Sequence, residues 1–131
     1  MKGLVSFYEK PGCKGNERQK KLLIEAGYAL HVIDLLSKDW KTEDLLKFFS
    51  GRSIYDCVNT RAPKITKEGF DPSKLSEDEL LMEMINNPIL IKRPLLFYRG
   101  EFGVGFDNDL VDKLLGDLQR PSECQKREVC S

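Results

Sequence analysis

The sequence has no long apolar segment, little histidine and no excess of charge of either sign. No run of about 18 apolar residues is present to cross a membrane. The start, MKGLVSFYEKPGC, lacks the apolar stretch and small-residue cleavage site of a secretory signal peptide. Lys and Arg together number 21, as do Asp and Glu. The net charge is therefore near zero and does not indicate binding to nucleic acid or to an anionic membrane. We therefore expect a cytoplasmic protein without direct membrane or nucleic-acid contacts.

Metal-binding patterns are also missing. The four cysteines are irregularly spaced, no C-x2-C pair occurs, and the single histidine, His31, stands alone. Zinc sites need closely spaced Cys and His ligands, so no metal site is predicted. Without a secretory signal, reduced thiols are a better expectation than a disulfide framework.

Hydrophobic patterning predicts one α/β domain. The first strand–helix–strand unit requires a right-handed crossover and parallel pairing, whereas the last two strands form an antiparallel hairpin with a turn at Arg99-Gly100. This order predicts a thioredoxin-like mixed four-stranded sheet with a helical insert between the second and third strands. The predicted strands are 3–8, 28–36, 95–98 and 101–106, and the main helices are 16–26, 41–51, 76–87 and 107–118.

The domain is predicted to span 1–118, with the helical insert at about 41–92. Asp107 is the predicted N-cap of the last helix, and 60–74 is predicted to be mostly loop. Residues 119–131 contain few apolar side chains, which is typical of a flexible C-terminal tail.

Cys13 follows a Pro-Gly turn signal between the first strand and the first helix. A thiol at a helix N-terminus is a better nucleophile, because the exposed N–H groups and the helix dipole favour the thiolate. Lys14 and Arg18 add positive charge nearby. The alternative is that Cys13 is a small residue packed at the start of the helix.

Arg93-Pro94 comes immediately before the third strand. An arginine beside Cys13 would stabilise a thiolate and could hold an oxyanion through paired N–H donors. The alternative is a surface arginine before an ordinary trans-proline.

FYEKPGC, NPILIKRP and the helices between them resemble the glutaredoxin-linked arsenate reductase family, which also includes the Spx-type transcriptional regulators. The resemblance covers roughly residues 3 to 118. The motifs RAP at 61–63 and GEFGVGFD at 100–107 are similar to the branch described as nitrogenase-associated proteins. The resemblance implies that Cys13 is the catalytic nucleophile, that Arg93 binds the oxyanion and that Pro94 is the cis-proline of the fold.

The sequence departs from the family pattern at two further arginines. One family position falls at Asn59, with Arg61 two residues away as a substitute, and the other falls at Phe106. Asn59, Arg61 and Lys14 are therefore the candidates to support the oxyanion or thiolate. Since each charged hydrogen bond contributes about 1.5–3 kcal/mol, these departures predict weakened recognition of a doubly charged oxyanion.

Asn16 stands where thioredoxins have a second cysteine, so Cys13 would act as a monothiol. Its adduct would need glutathione, another protein or a distant cysteine for resolution. Cys124 and Cys130 in the tail are candidate resolving thiols, although incidental cysteines in a disordered tail are the favoured alternative. Cys57 lies among apolar residues and is predicted to be a buried structural thiol.

Three functions follow from these observations. The first is an arsenate-reductase-like monothiol oxidoreductase with no bound cofactor, which uses glutathione as co-substrate or glutaredoxin as partner. The second is a non-catalytic accessory or Spx-like regulatory protein, which would bind nitrogenase-related proteins or transcription machinery. The third is a true arsenate reductase, which the missing arginines disfavour.

Overall fold

The computed structural model describes residues 2–116 and contains a four-stranded mixed sheet. The strand order is β2-β1-β3-β4, with β1 parallel to β2 and antiparallel to β3, and β3 antiparallel to β4. This topology confirms the predicted thioredoxin-like sheet. The strands are β1 (Leu4–Glu9), β2 (Ala29–Asp34), β3 (Leu95–Tyr98) and β4 (Glu101–Val104).

Five α-helices accompany the sheet within residues 2–116, and three of them form the predicted insert between β2 and β3. They are α1 (Lys14–Glu25), α2 (Thr42–Phe49), α3 (Pro63–Thr66), α4 (Glu77–Asn86) and α5 (Asp109–Leu115). Three short 3-10 helices lie at Ile54–Cys57, Pro72–Lys74 and Pro88–Leu90. None of the helices in this part of the chain has the length and apolar character needed to span a membrane.

The side chains of β1 point alternately to the two faces of the sheet, and each face has its own hydrophobic core. Phe7 contributes to a core shared with α1 and α5, whereas Tyr8 packs against a core built mainly from the insert. Neighbouring residues of a strand point to opposite faces, so β1 connects both cores. The two faces together support the strand end from which Cys13 follows.

Two local predictions are wrong. The predicted N-cap Asp107 does not cap the last helix; instead, the Asn108 side chain accepts a hydrogen bond from Val111 N at 2.9 Å. The predicted loop at 60–74 contains α3 and the Pro72–Lys74 turn, because both prolines occupy first-turn helical positions that do not require an N–H donor.

Candidate functional site

Cys13 is the N-cap residue of α1. The turn from β1 is closed by a hydrogen bond from Cys13 N to Lys10 O at 3.1 Å. Gly12 has a φ of +82°, a conformation that glycine adopts without steric cost. Cys13 O accepts from Glu17 N at 3.0 Å, which starts the helical hydrogen-bond pattern. The strand–turn–helix predicted around this residue is therefore confirmed.

The Cys13 sulfur faces the N-terminus of α1. Asn16 N donates to Cys13 Sγ at 3.4 Å, so the sulfur occupies the place of a capping oxygen. Together with the helix dipole, this donor favours a negative charge on sulfur in the reduced protein. Lys14 is the first residue of α1 and is exposed. Its charge therefore acts on the Cys13 sulfur mainly through solvent. Cys13 is only 3% exposed and is disulfide-bonded in this structure, which corrects the expectation of a reduced thiol at this position. Its thiolate forms only after that bond is reduced.

Buried polar residues lie behind the Cys13 turn. Asn16 and Gln19 are buried on α1 and hydrogen-bonded to each other. Lys20 Nζ lies 2.5 Å from Glu9 Oε1. Burial alone would lower the pKa of Lys20, but its bonds to Glu9 and Glu17 outweigh burial and raise it. The i, i+3, i+7 spacing of Asn16, Gln19 and Leu23 indicates one inward face, a signal in the sequence for the burial of Asn16 that is separate from the absence of a second cysteine.

Sheet pairing places Arg93 and Pro94 beside the end of β1 that continues into the Cys13 turn. Tyr8 of β1 pairs with Leu95 of β3 in antiparallel register, and Arg93 and Pro94 immediately precede Leu95. The Arg93–Pro94 peptide bond is cis, which is the conformation that the family resemblance implies.

Arg93 carries buried donors without acceptors among residues 2–116. Its Nε and Nη1 atoms are buried and make no hydrogen bond there. Burial lowers the pKa of Arg93 to about 10, so the guanidinium remains charged at neutral pH. A charged side chain with unmet donors favours an anionic ligand, because a negatively charged oxygen accepts a strong hydrogen bond from a guanidinium N–H group.

Asn59 connects the insert to the segment before Arg93. Its side chain donates to Ile89 O at 3.1 Å and accepts from Arg61 N at 3.1 Å. Asn59 N also donates to Leu90 O at 2.7 Å. Both ends of the amide thus hold backbone in place, which gives Asn59 a clear structural function. Arg61 is partly buried on the same loop.

Phe106, which stands where the family pattern has an arginine, is buried in the core. It is 4% exposed and belongs to the core shared with α1 and α5. The chain therefore uses this position for packing.

Cys57 is fully buried, and its Sγ donates to Ser53 O at 3.4 Å. Burial raises the pKa of the Cys57 thiol to about 11, which agrees with the predicted structural role. The proposed resolving thiols Cys124 and Cys130 lie outside the described residues. Between residues 2 and 116, no group of three or more His, Cys, Asp or Glu side chains is arranged to hold a metal ion.

Two known proteins are similar in sequence to this chain. The chain is 35% identical over 112 residues to an "Uncharacterized 15.7 kDa protein in draG 3'region" of Rhodospirillum rubrum, covering 86% of this chain and 78% of that protein. A "Global transcriptional regulator Spx" of Streptococcus agalactiae is 22% identical over 128 residues, covering 96% and 90% of the two chains.

A solved structure shares the fold. The arsenate reductase from Vibrio cholerae superposes with a TM-score of 0.70 at 24% identity, covering 88% of this chain and 98% of that one. The ArsC family pattern matches residues 8–114, a range that includes Cys13, Arg93 and the whole insert. The chain belongs to the ArsC family.

Proposed function

We propose that this protein is a monothiol oxidoreductase in which Cys13 attacks an oxidised, anionic substrate. The observation that carries the proposal is the arrangement at the neighbouring ends of the central strands β1 and β3. A sulfur capped by the α1 N-terminus and an arginine with unmet buried donors lie on adjacent strand ends. The first supports a nucleophilic thiolate, and the second supports binding of a negatively charged group.

A glutathione mixed disulfide has both properties that this arrangement selects. The Cys13 thiolate attacks the glutathione sulfur, the S–S bond of the substrate breaks, and the substrate thiolate leaves. Cys13 is then disulfide-bonded to glutathione. A second glutathione thiolate attacks this bond, which restores the Cys13 thiolate and produces oxidised glutathione. In the full cycle the substrate is released as a thiol and one free glutathione is oxidised, because the other sulfur of oxidised glutathione already stood in the disulfide of the substrate.

Each family-derived residue has a role in this proposal. Arg93 would bind a glutathione carboxylate or another oxyanion, with Arg61 and Lys14 adding positive charge. Asn59 would support the loop that carries Arg61. Cys124 or Cys130 would compete with glutathione if a thiol of the same chain resolves the adduct, and glutaredoxin would act as an external reductant.

The test is turnover of a small glutathione mixed disulfide with glutathione, glutathione reductase and NADPH. We expect turnover by the full-length protein, loss of at least about 100-fold in Cys13→Ser, and little change in Cys57→Ser, because only a thiolate attacks a disulfide efficiently. Cys124→Ser/Cys130→Ser separates resolution by the chain from resolution by glutathione. Turnover that survives Cys13→Ser would contradict the mechanism.

Arsenate is a second substrate for the same assay, with glutaredoxin added. Because Phe106 is apolar and buried, we expect arsenate turnover to be far slower than turnover of the mixed disulfide. Robust arsenate turnover that depends on Cys13 would instead place the protein among the arsenate reductases.

A regulatory or accessory function is the second candidate. It is favoured by the similarity to a protein named as a global transcriptional regulator and, for nitrogen fixation, by the name of the Rhodospirillum rubrum relative. Specific retention of RNA polymerase or nitrogenase-related proteins on the immobilised chain, unaffected by Cys13→Ser and without turnover of either substrate, would favour this function over thiol exchange.

A further inference from the structure

Asn16 makes a polar connection across the Cys13 turn. The residue is 3% exposed, and its Oδ1 accepts from Lys10 N at 3.1 Å. Its Nδ2 donates to Gln19 Oε1 at 2.9 Å. One side chain therefore joins the end of β1 to the second turn of α1, and the six-residue span that it closes contains Cys13.

The orientation of this amide is determined by its partners. Lys10 N can only donate, so the carbonyl oxygen of Asn16 must face it. The amide nitrogen then faces Gln19, which must present its own oxygen. Gln19 is 7% exposed, so the Asn16–Gln19 pair is shielded from water. In such a buried environment hydrogen bonds are stronger, and breaking one costs more free energy.

The same residue also contacts the sulfur through its backbone. Asn16 N donates to Cys13 Sγ at 3.4 Å, and this bond requires the turn and the first turn of α1 to keep their relative position. The side-chain bonds to Lys10 and Gln19 fix both of these segments. A buried polar side chain costs free energy unless it is fully paired, and this one uses its pairing to hold the turn that carries Cys13.

We propose that Asn16 is a positioning residue for Cys13, whose neutral amide keeps the sulfur on the N-terminus of α1 and thereby maintains its thiolate. The inference rests on the proposed function of Cys13. It assigns Asn16 a function in the chemistry of the site, beyond the absence of a second cysteine. An uncharged side chain is required, because a carboxylate here would oppose the negative sulfur.

The test is the pH dependence of iodoacetamide labelling of Cys13 in the reduced full-length protein, resolved from the other cysteines by peptide mass spectrometry. Asn16→Ala removes both side-chain bonds. We expect its labelling midpoint to rise by about half to one pH unit, so that labelling below the midpoint slows about three- to tenfold, while the rate at high pH changes less than about twofold.

Asn16→Asp keeps the acceptor for Lys10 N and adds a charge. A carboxylate in the first turn favours α1, so this variant keeps the proposal testable even if Asn16→Ala does not fold. Its midpoint is expected to rise at least as far as that of Asn16→Ala. Leu23→Val is the matched control, since Leu23 is fully buried on the same helix and has no polar group near the turn.

The outcomes separate this inference from the proposed function. Equal midpoints in the wild type and both Asn16 variants would overturn the positioning role, as would a shift in Leu23→Val as large as that in Asn16→Ala. A wild-type midpoint at or above the free-thiol value of about 8.5 would overturn the proposed function. The comparison between wild type and variants would still decide the role of Asn16.

Discussion

Arg93 is a partly buried charged residue whose side chain holds two buried N–H donors without acceptors among residues 2–116. Its Nε and Nη1 atoms have no acceptor within residues 2–116, and each buried unsatisfied donor costs about 1–3 kcal/mol. The pKa of about 10 lies well above neutrality, so the charge stays in place at pH 7. A stability cost next to the end of β1 that leads to Cys13 is consistent with a group retained for binding.

Arg93→Met is predicted to raise stability and lower activity. Met fills a similar volume without polar atoms, so we expect the free energy of unfolding to rise by about 1–2 kcal/mol. Turnover of an anionic disulfide should fall at least about tenfold, because a charged hydrogen bond to the substrate is lost. Urea unfolding and the coupled glutathione assay measure the two effects.

Arg93→Lys is the matched control for this prediction. It keeps the charge but loses the paired donors, so it should retain part of the activity without gaining the stability of Arg93→Met. A less stable Arg93→Met with unchanged turnover would contradict both the buried cost and the binding role.

At the scale of elements, α5 depends on a cap that also connects it to β4. Asn108 accepts from Val111 N at 2.9 Å and donates to Val104 O at 3.1 Å and Gly105 O at 2.9 Å. The helix packs closely there: a Cβ added at Gly103 would lie 3.2 Å from Leu110 Cδ2. Position 103 therefore has little room for a side chain.

Asn108→Ala is predicted to cost about 1–2 kcal/mol of unfolding free energy, because it removes the cap. Asn108→Asp keeps the acceptor for Val111 N but loses both donated bonds, so its loss should be smaller. Asp107→Ala is the comparison at the neighbouring position, and we expect it to cost less than Asn108→Ala, because Asp107 does not cap the helix. A larger loss in Asp107→Ala than in Asn108→Ala, measured by urea unfolding, would contradict the observed cap.

This pair of residues shows what the sequence could predict. Both Asp and Asn are good N-caps, so local composition located the start of α5, but the predicted cap, Asp107, lies one residue before the observed one. Asn108 caps because its amide nitrogen also reaches two carbonyls at the end of β4, which are tertiary partners that the sequence does not reveal. The sheet order was predictable because the crossover and hairpin depend on local pattern and chain length.

In the candidate site, too, some features follow from local sequence and others depend on tertiary packing. The position of Cys13 follows from a turn signal before an amphipathic helix, which is local information. The unmet donors of Arg93 and the connection through Asn16 depend on which groups burial brings together. Gln19 lies in a predicted helix and Glu9 directly follows a predicted strand, but only packing shows that both are buried.

At the scale of the whole molecule, β1 and β3 separate two cores that depend on each other. Phe7 and Leu96 contribute to the core beneath α1 and α5, while Tyr8 and Leu95 pack against the insert. These residues are adjacent in both strands and paired in register. Since loss of either core removes support from the same strands, both cores should unfold in one cooperative transition.

Cys57 makes the free energy of unfolding dependent on pH. It is fully buried in the core of the insert, and burial raises its pKa from 9.0 to about 11. Below about pH 9 the thiol is protonated in both folded and unfolded chains and has no effect on the pH dependence. Above it, the unfolded chain loses this proton before the folded chain does, so unfolding becomes more favourable as pH rises.

Wild-type protein should therefore lose stability between about pH 9 and pH 11, with a contribution from Cys57 of up to about 1.4 kcal/mol per pH unit. Other groups also titrate in this range, so the informative quantity is the difference in unfolding free energy between wild type and Cys57→Ala. We expect that difference to be constant near neutral pH, where it reflects packing and the hydrogen bond from Cys57 Sγ to Ser53 O, and to shrink as pH rises through this window. Urea unfolding followed by tryptophan fluorescence and circular dichroism gives the values, and agreement of the two signals tests for a single transition. A difference that stays constant up to pH 11 would show that the Cys57 thiol ionises as readily in the folded chain as in the unfolded one, which its complete burial should prevent.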